Sequence, residues 1–321
     1  MKNMPVILGP TACGKTAVAA RLAYEMDGEV ISADSRQVYR GMDIGSGKDL
    51  GDYVVEGRQI PYHLVDIAEP GYEYNIFEYQ RDFTKAYDDI VKRGKLPVLC
   101  GGSGMYLEAV LKAYSLPEAP SDPGFSGLMQ SMDEQALLQE LSKLKKLHST
   151  TDTVDRQRML RALEIELKRR DNEHSDARCK MQDEQNPASN ILHPLSCILF
   201  GINPGRDIVR RQITSRLQSR LSNGMIEEVR ALLANGVSPA RLKAYGLEYK
   251  HLALYLEGEL GYDEMFRLLN IAIHQFAKRQ MTWFRRMERQ GIKIHWIEGD
   301  QPSEDKVKKI REIIENSEVA K

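Results

Sequence analysis

Residues 9–16, Gly9-Pro-Thr-Ala-Cys-Gly14-Lys15-Thr16, spell G-x-x-x-x-G-K-S/T in full. No other feature of the chain limits its fold so sharply. The pattern belongs between a strand and a helix. Both are predicted: Met4–Leu8 is a short apolar run, and Thr16–Tyr24 has helical spacing. Glycines let the backbone curl so that successive N–H groups point at phosphate oxygens, and the helix N-terminus adds positive potential. Lys15 supplies a point charge to the terminal phosphate, and the Thr16 hydroxyl is a ligand for Mg²⁺. A chance match in a chain of this length has a probability of roughly 1%, so an accidental turn is set aside. A diphosphate cradle does not say what happens to the diphosphate. There is no NKxD tetrad, which argues against a GTPase. No apolar strand ends in an obvious metal-binding Asp-Glu pair; Asp66, after His63-Leu-Val, is a weak candidate.

Further apolar runs alternate with helical patterns. Glu29–Ser32 and Leu96–Cys100 read as strands, Leu64–Ile67 as a candidate strand, and Leu195–Ile202 and Ile292–Ile297 as later ones. Asn75-Ile-Phe-Glu78 has the capping-box order and opens a helix to about Lys92. Gly101-Gly-Ser103-Gly104 follows the third strand and precedes another helix. Alternation of this kind predicts an α/β fold with a parallel sheet. Leu116–Gly127 then carries Pro117, Pro120 and Pro123, a boundary signal. Asp133–Leu147 and Asp155–Arg170 read as amphipathic helices with no strand between them, and Asp171–Asn190 as a polar mobile loop. The expected organisation is a core of residues 1–117, a helical insertion over 118–190, and the rest of the core with C-terminal helices over 191–321.

The 321 residues suffice for two domains or one with an insertion. A formal net charge of −1 gives no compositional sign of a polyanion partner, so any nucleic-acid surface must come from local clusters. Cys13, Cys100, Cys179 and Cys197 form no CxxC pair and no zinc-like spacing, which predicts a reduced, cytoplasmic setting. The first strand begins within a few residues of Met1, leaving no room for a signal peptide, and no apolar run approaches the roughly 18 residues of a membrane span.

Asp34-Ser35-Arg36-Gln37 follows the second strand, so a parallel sheet places Asp34 at its carboxyl edge beside the phosphate loop. Spacing alone leaves an even choice between that reading and a helix N-cap.

With these segments in view the chain resembles the bacterial tRNA dimethylallyltransferase (tRNA isopentenyltransferase) family. The shared segments are Gly9–Thr16, Asp34–Gln37 with Tyr39, Gly41-Met-Asp-Ile-Gly45, His63-Leu-Val-Asp66, Gly101-Gly-Ser103, Arg158-Met-Leu-Arg161-Ala-Leu-Glu164 and Ala277-Lys278-Arg279-Gln280-Met-Thr-Trp283. They run through nearly the whole chain in the family's order. The resemblance implies a P-loop core whose helical insertion grips the tRNA anticodon stem-loop, and it implies Mg²⁺. It implies transfer of a dimethylallyl group from dimethylallyl diphosphate to N6 of the adenosine just 3′ of the anticodon, in tRNAs reading codons that begin with U. Asp34 then orients N6–H and accepts its proton. Gly9, Pro10, Thr11, Ala12, Cys13, Gly14, Lys15 and Thr16 hold the donor diphosphate, with Thr11 donating to the bridging oxygen. Ser35, Arg36, Gln37 and Ser103 contact the acceptor nucleotide and its neighbours, and the base leaves its stack to reach them. Gln157, Arg158 and Arg161 on the insertion, with Lys278 and Arg279 on the last long helix, are implied tRNA contacts.

Three places depart from the family pattern, one of them Leu247-Glu248, where the family often has Tyr and a basic residue. Ser103 stands where Thr is usual and keeps the hydroxyl. Lys243 stands where the family often has Arg; it is the expected second anchor of the donor diphosphate, without the bidentate fork. By bland structural readings, Arg158 and Arg161 belong to a solvated helix face, Trp283 and Phe284 to the core, His63 and His274 to packing or hydrogen bonding, and Asp207–Arg220 to an exposed amphipathic helix. The competing functions are an adenine-nucleotide prenyl transferase, a P-loop small-molecule kinase and a non-enzymatic tRNA-binding protein. A monomer is expected.

Overall fold

The computed structural model describes residues 3–112, 133–144, 156, 159–160, 163–164, 166–167 and 196–319. The chain divides into two compact units, Met1–Tyr114 with Leu192–Lys321, and Ser115–Ile191.

The larger unit is built on a six-stranded parallel sheet. Its strands are β1 (Met4–Leu8), β2 (Gly28–Ala33), β5 (Tyr62–His63), β6 (Leu96–Gly101), β7 (Cys197–Asn203) and β8 (Ile294–Glu298), in the spatial order β5-β2-β6-β1-β7-β8. A small antiparallel hairpin, β3 (Val54–Val55) with β4 (Arg58–Gln59), stands apart from it. Alternate side chains serve opposite faces of the sheet. Ile7, Val30, Val98 and Phe200 pack toward α1 (Lys15–Glu25) and the C-terminal helix Ser303–Val319. Val6, Leu8, Ile31, Leu99 and Leu199 pack toward α2 (Ile76–Lys92), α3 (Gly104–Leu111) and the end of the long helix Tyr262–Arg289. Burial on both faces is why these strands read as unbroken apolar runs.

The remaining helices of this unit are α5 (Arg206–Ser222), α6 (Met225–Ala234), α7 (Pro239–Ala244), α8 (Leu247–Leu256) and α9 (Tyr262–Arg289); Ser303–Val319 is α10. α5 to α9 enclose a third apolar cluster, which also takes in Val38, Tyr39 and Met42 from the segment after β2. In the smaller unit, α4 (Glu134–Leu144) buries Leu137 and Leu141 against Met159 and Leu163, which lie on helical backbone.

The capping box forms as expected: the Asn75 side chain accepts from the Glu78 N–H at 3.0 Å and the Glu78 carboxylate accepts from the Asn75 N–H at 3.0 Å. The candidate strand at 64–67 does not form. Pairing stops at His63, because Leu64 and Asp66 adopt positive φ (61° and 57°), which strand backbone excludes. The proline-rich boundary, the loop over 171–190, and Gln157, Arg158 and Arg161 lie outside the described residues. Among the described residues no helix is long and apolar enough to cross a membrane.

Candidate active site

The strand order makes β1 the turning point of the sheet, with β6 and β2 on one side and β7 and β8 on the other. Loops at the carboxyl ends of such strands form the binding crevice of open α/β sheets. Here the loops after β1, β2 and β6 are tied together. The Ser103 N–H donates to the Ala33 carbonyl at 3.3 Å, and the Ser103 hydroxyl accepts from the Ser35 N–H at 3.3 Å. Gln280, buried on α9, accepts from the Thr11 N–H at 2.8 Å and donates to the Gly102 carbonyl at 2.9 Å. A side chain at Gly102 would collide with that carboxamide, since its Cβ would fall 2.5 Å from Gln280 Nε2.

Ala12 and Gly14 take positive φ (60° and 75°), and α1 starts at Lys15, so the loop curls over the N-terminus of a helix. Among the described residues Lys15 has no ion-pair partner; its ammonium donates only to the Pro10 carbonyl, at 3.4 Å. The Thr16 side chain has no hydrogen-bond partner among them. Burial pushes the thiol of Cys100, beneath the loop, up to about 12 and so disfavours its thiolate.

These groups line a cavity of about 520 Å³. The phosphate loop contributes Thr11, Ala12, Gly14, Lys15 and Thr16; the segment after β2 contributes Asp34, Arg36 and Gln37. Asp34 is no helix N-cap. Turns follow it, and its Oδ1 accepts from the Arg36 N–H at 3.0 Å. Arg36 lies between Asp34 (3.6 Å) and Glu248 (2.7 Å). Burial opposes its charge, but Glu248 and Asp34 outweigh burial and push its pKa up, so a permanent cation holds Asp34 in place. Gln37 is used structurally: it accepts from the Ser32 hydroxyl at 3.0 Å and donates to the Gly47 carbonyl at 3.3 Å.

The opposite wall bears out the sequence reading of Asp207–Arg220 as an amphipathic helix with an exposed polar face, and adds that this face borders the cavity. One face of α5 is buried in the helical core through Val209, Ile213, Leu217 and Leu221, and Arg211, Gln212, Arg216 and Arg220 line the cavity. Arg216 and Arg220 pair with Asp49, Arg220 at 3.4 Å. Burial, then the neighbouring Arg216, pull the Arg220 pKa down, so an anion in the cavity would relieve both guanidiniums. Asp52 completes this rim on a 3₁₀ turn, Leu50–Tyr53. Burial and Asp49 push its carboxyl up, against Arg216 and Lys15.

Lys243 is not among the cavity residues. Its ammonium pairs with Glu257 at 2.7 Å and Glu259 at 3.1 Å, so its expected donor role finds no support in its placement. Asp66 is also committed elsewhere, to the fully buried ammonium of Lys48. Lys278 and Arg279 are exposed on α9, and Lys278 lines a second groove with Arg206, Arg210 and Arg285. His63 bonds Glu29 at 2.7 Å, His274 faces Thr214 at 3.4 Å, and Phe284 is fully buried, in line with their structural readings.

Residues 37–287 match the family described as IPP transferase, and residues 2–63 match the family described as isopentenyl transferase. The chain is 52% identical over 310 residues to "tRNA dimethylallyltransferase 1" of Parabacteroides distasonis, covering 97% of each, and 51% identical to "tRNA dimethylallyltransferase 2" of Bacteroides fragilis, again covering 97% of each. The crystal structure of the full-length tRNA isopentenylpyrophosphate transferase from Bacillus halodurans aligns with a TM-score of 0.68 and 28% identity, covering 98% of this chain and 96% of that one. A eukaryotic dimethylallyltransferase acting on tRNA shares the fold, with a TM-score of 0.72 at 23% identity over 93% of this chain and 74% of its own.

Proposed function

The chain belongs to the tRNA dimethylallyltransferase (IPP transferase) family, and on that premise we propose that it moves a dimethylallyl group from dimethylallyl diphosphate to N6 of the adenosine 3′-adjacent to the anticodon, in tRNAs reading codons that begin with U. One observation carries the reading: Asp34 lines the same cavity as Lys15 and Thr16, so a carboxylate and a diphosphate cradle share one reaction space.

An exocyclic adenine amine is a poor nucleophile because its lone pair is delocalised into the ring. Asp34, oriented by Arg36, accepts a hydrogen bond from N6–H and takes the proton as the C–N bond forms. The prenyl C–O bond breaks on the other side of the same carbon, and negative charge grows on the diphosphate. The loop amides, Lys15 and the guanidiniums of Arg211, Arg216 and Arg220 stand where that charge appears. The Thr11 hydroxyl, with no hydrogen-bond partner among the described residues, is available to donate to the leaving oxygen, while Gln280 holds the Thr11 backbone N–H. The donor set suits Mg²⁺: the Thr16 hydroxyl and diphosphate oxygens are hard oxygen ligands, and bound Mg²⁺ supplies further charge neutralisation.

The partners are then dimethylallyl diphosphate and a tRNA anticodon stem-loop, with the exposed basic face of α9 at Lys278 and Arg279 as a backbone contact. The free thiols of Cys13, Cys100 and Cys197 among the described residues favour a cytoplasmic enzyme. The test of position is nuclease mapping of tRNA after reaction with the prenyl donor and Mg²⁺. The alkylated fragment should contain the adenosine beside the anticodon; alkylation elsewhere would refute the assigned position.

A further inference from the structure

Three carboxylates line the cavity, those of Asp34, Asp49 and Asp52. Asp34 is held by the Arg36 N–H and guanidinium, and Asp49 is paired with Arg216 and Arg220. Asp52 is the exception: its carboxylate has no hydrogen bond or ion pair among the described residues. Its position is nonetheless built. The Asp52 N–H donates to the Asp49 carbonyl at 3.0 Å, and the Tyr53 carbonyl accepts from the Ile60 N–H at 2.7 Å. The Tyr53 ring is buried in the core cluster that includes α1 and packs against the Tyr62 ring at 4.5 Å with a tilt of 36°. The 3₁₀ turn is therefore fixed against the helix that carries Lys15 and Thr16.

The Asp52 carboxylate feels the charges of Arg216 and Lys15 without pairing to either, and facing a diphosphate site it repels the ligand the cradle attracts. A divalent cation between the two reverses the sign. Among the described residues the Thr16 hydroxyl, in the first turn of α1, is likewise uncommitted, and the weak sequence candidate Asp66 is consumed by Lys48. Resting on the donor-diphosphate reading above, we propose that Asp52 is the protein's carboxylate ligand for a divalent cation that would be held, together with Thr16, at the donor diphosphate. The assignment gives the phosphate loop its acidic partner from a 3₁₀ turn, not from a strand end.

The test uses Mn²⁺ and inorganic pyrophosphate with the full-length protein. Bound Mn²⁺ is read by electron paramagnetic resonance, and pyrophosphate binding is read separately by calorimetry in EDTA. Asp52→Asn should weaken Mn²⁺ on the protein–pyrophosphate complex at least about tenfold, while metal-free pyrophosphate binds as tightly as to the wild type or more tightly. Asp52→Ser should repeat the result, which guards against a folding defect peculiar to one variant. Unchanged Mn²⁺ affinity in either folded variant overturns the proposal. An equal loss of metal-free pyrophosphate affinity also overturns it, because Asp52 would then shape the site without meeting the metal. Metal-free pyrophosphate binding that Lys15→Ala abolishes keeps the donor reading standing whatever the Mn²⁺ arm gives.

Discussion

The carboxamide oxygen of Gln280 accepts the backbone N–H of Thr11 at 2.8 Å, joining the last long helix to the first loop of the chain. The same side chain donates to the Gly102 carbonyl at 2.9 Å, so one buried amide fixes the spacing of two loops that border the cavity. Gln280→Glu keeps an acceptor for Thr11 and sets a carboxylate oxygen against the Gly102 carbonyl. We expect a stability loss of about 2 kcal/mol and at least about a tenfold fall in kcat/KM for prenyl transfer. Denaturant melts and steady-state kinetics read the two effects. Wild-type kinetics in the variant would show that the tie does not set the reacting geometry.

Arg216 and Lys243 make opposite predictions. Arg216 lines the cavity, whereas Lys243, on α7, is paired with Glu257 and Glu259 at and beyond the end of α8. Arg216→Ala should raise the donor KM or lower kcat, by about tenfold or more in kcat/KM. Lys243→Ala should leave the donor kinetics within twofold or so of wild type. The reverse pattern would return the second diphosphate anchor to Lys243.

Much of this division lies beyond the reach of sequence. The phosphate loop, the Asn75–Glu78 capping box and the apolar strands are legible because their determinants are local: adjacent residues and a buried period. The place of the α5 arginines at the cavity is not legible for a physical reason. Arg216 and Arg220 are four apart, the spacing of any solvated helix face, and nothing along the chain says that this face turns toward residues 11–16. Gln280 sat within a segment of the family pattern, yet its partners are 178 and 269 positions away. Asp52 has no motif at all; its claim rests on the commitment of Asp34, Asp49 and Asp66 to other groups. Lys243 stands where the family often has Arg, but its pairing with Glu257 and Glu259, beyond the next helix, is not written in any local pattern.

Asp34→Asn keeps the side-chain shape and the acceptor oxygen for Arg36 while removing the proton acceptor. Single-turnover transfer should slow by at least about a hundredfold with little change in tRNA affinity. Filter binding and rapid-quench assays separate these readouts. Near-normal single-turnover transfer would remove Asp34 from the role of base.

Acid stability tests a buried cluster remote from the chemistry. The Arg93 guanidinium, and against the pull of burial also His63, hold the Glu29 carboxyl down to about 2. A carboxyl depressed in the folded state stabilises the protein above its unfolded value of 4.5. That stability is lost as pH falls from there toward 2. Glu29→Gln should therefore lower stability at neutral pH by on the order of 2 kcal/mol, allowing for the half-exposed Arg93. The difference from wild type should shrink on acidification through that window. A pH-independent difference would mean that packing, not charge, is what Glu29 supplies.

The central claim is that the phosphate loop serves a prenyl donor facing an adenine amine held by Asp34. Loop amides, Lys15 and Thr16 recognise a diphosphate, and ATP carries one too. The decisive measurement supplies unmodified tRNA with either dimethylallyl diphosphate or ATP, in Mg²⁺, and follows nucleoside mass and phosphate release together. The account predicts N6-dimethylallyladenosine with one diphosphate released per alkylation, and no transfer from ATP. Acceptor-dependent phosphoryl transfer from ATP, with no alkylation from the prenyl donor, would contradict it.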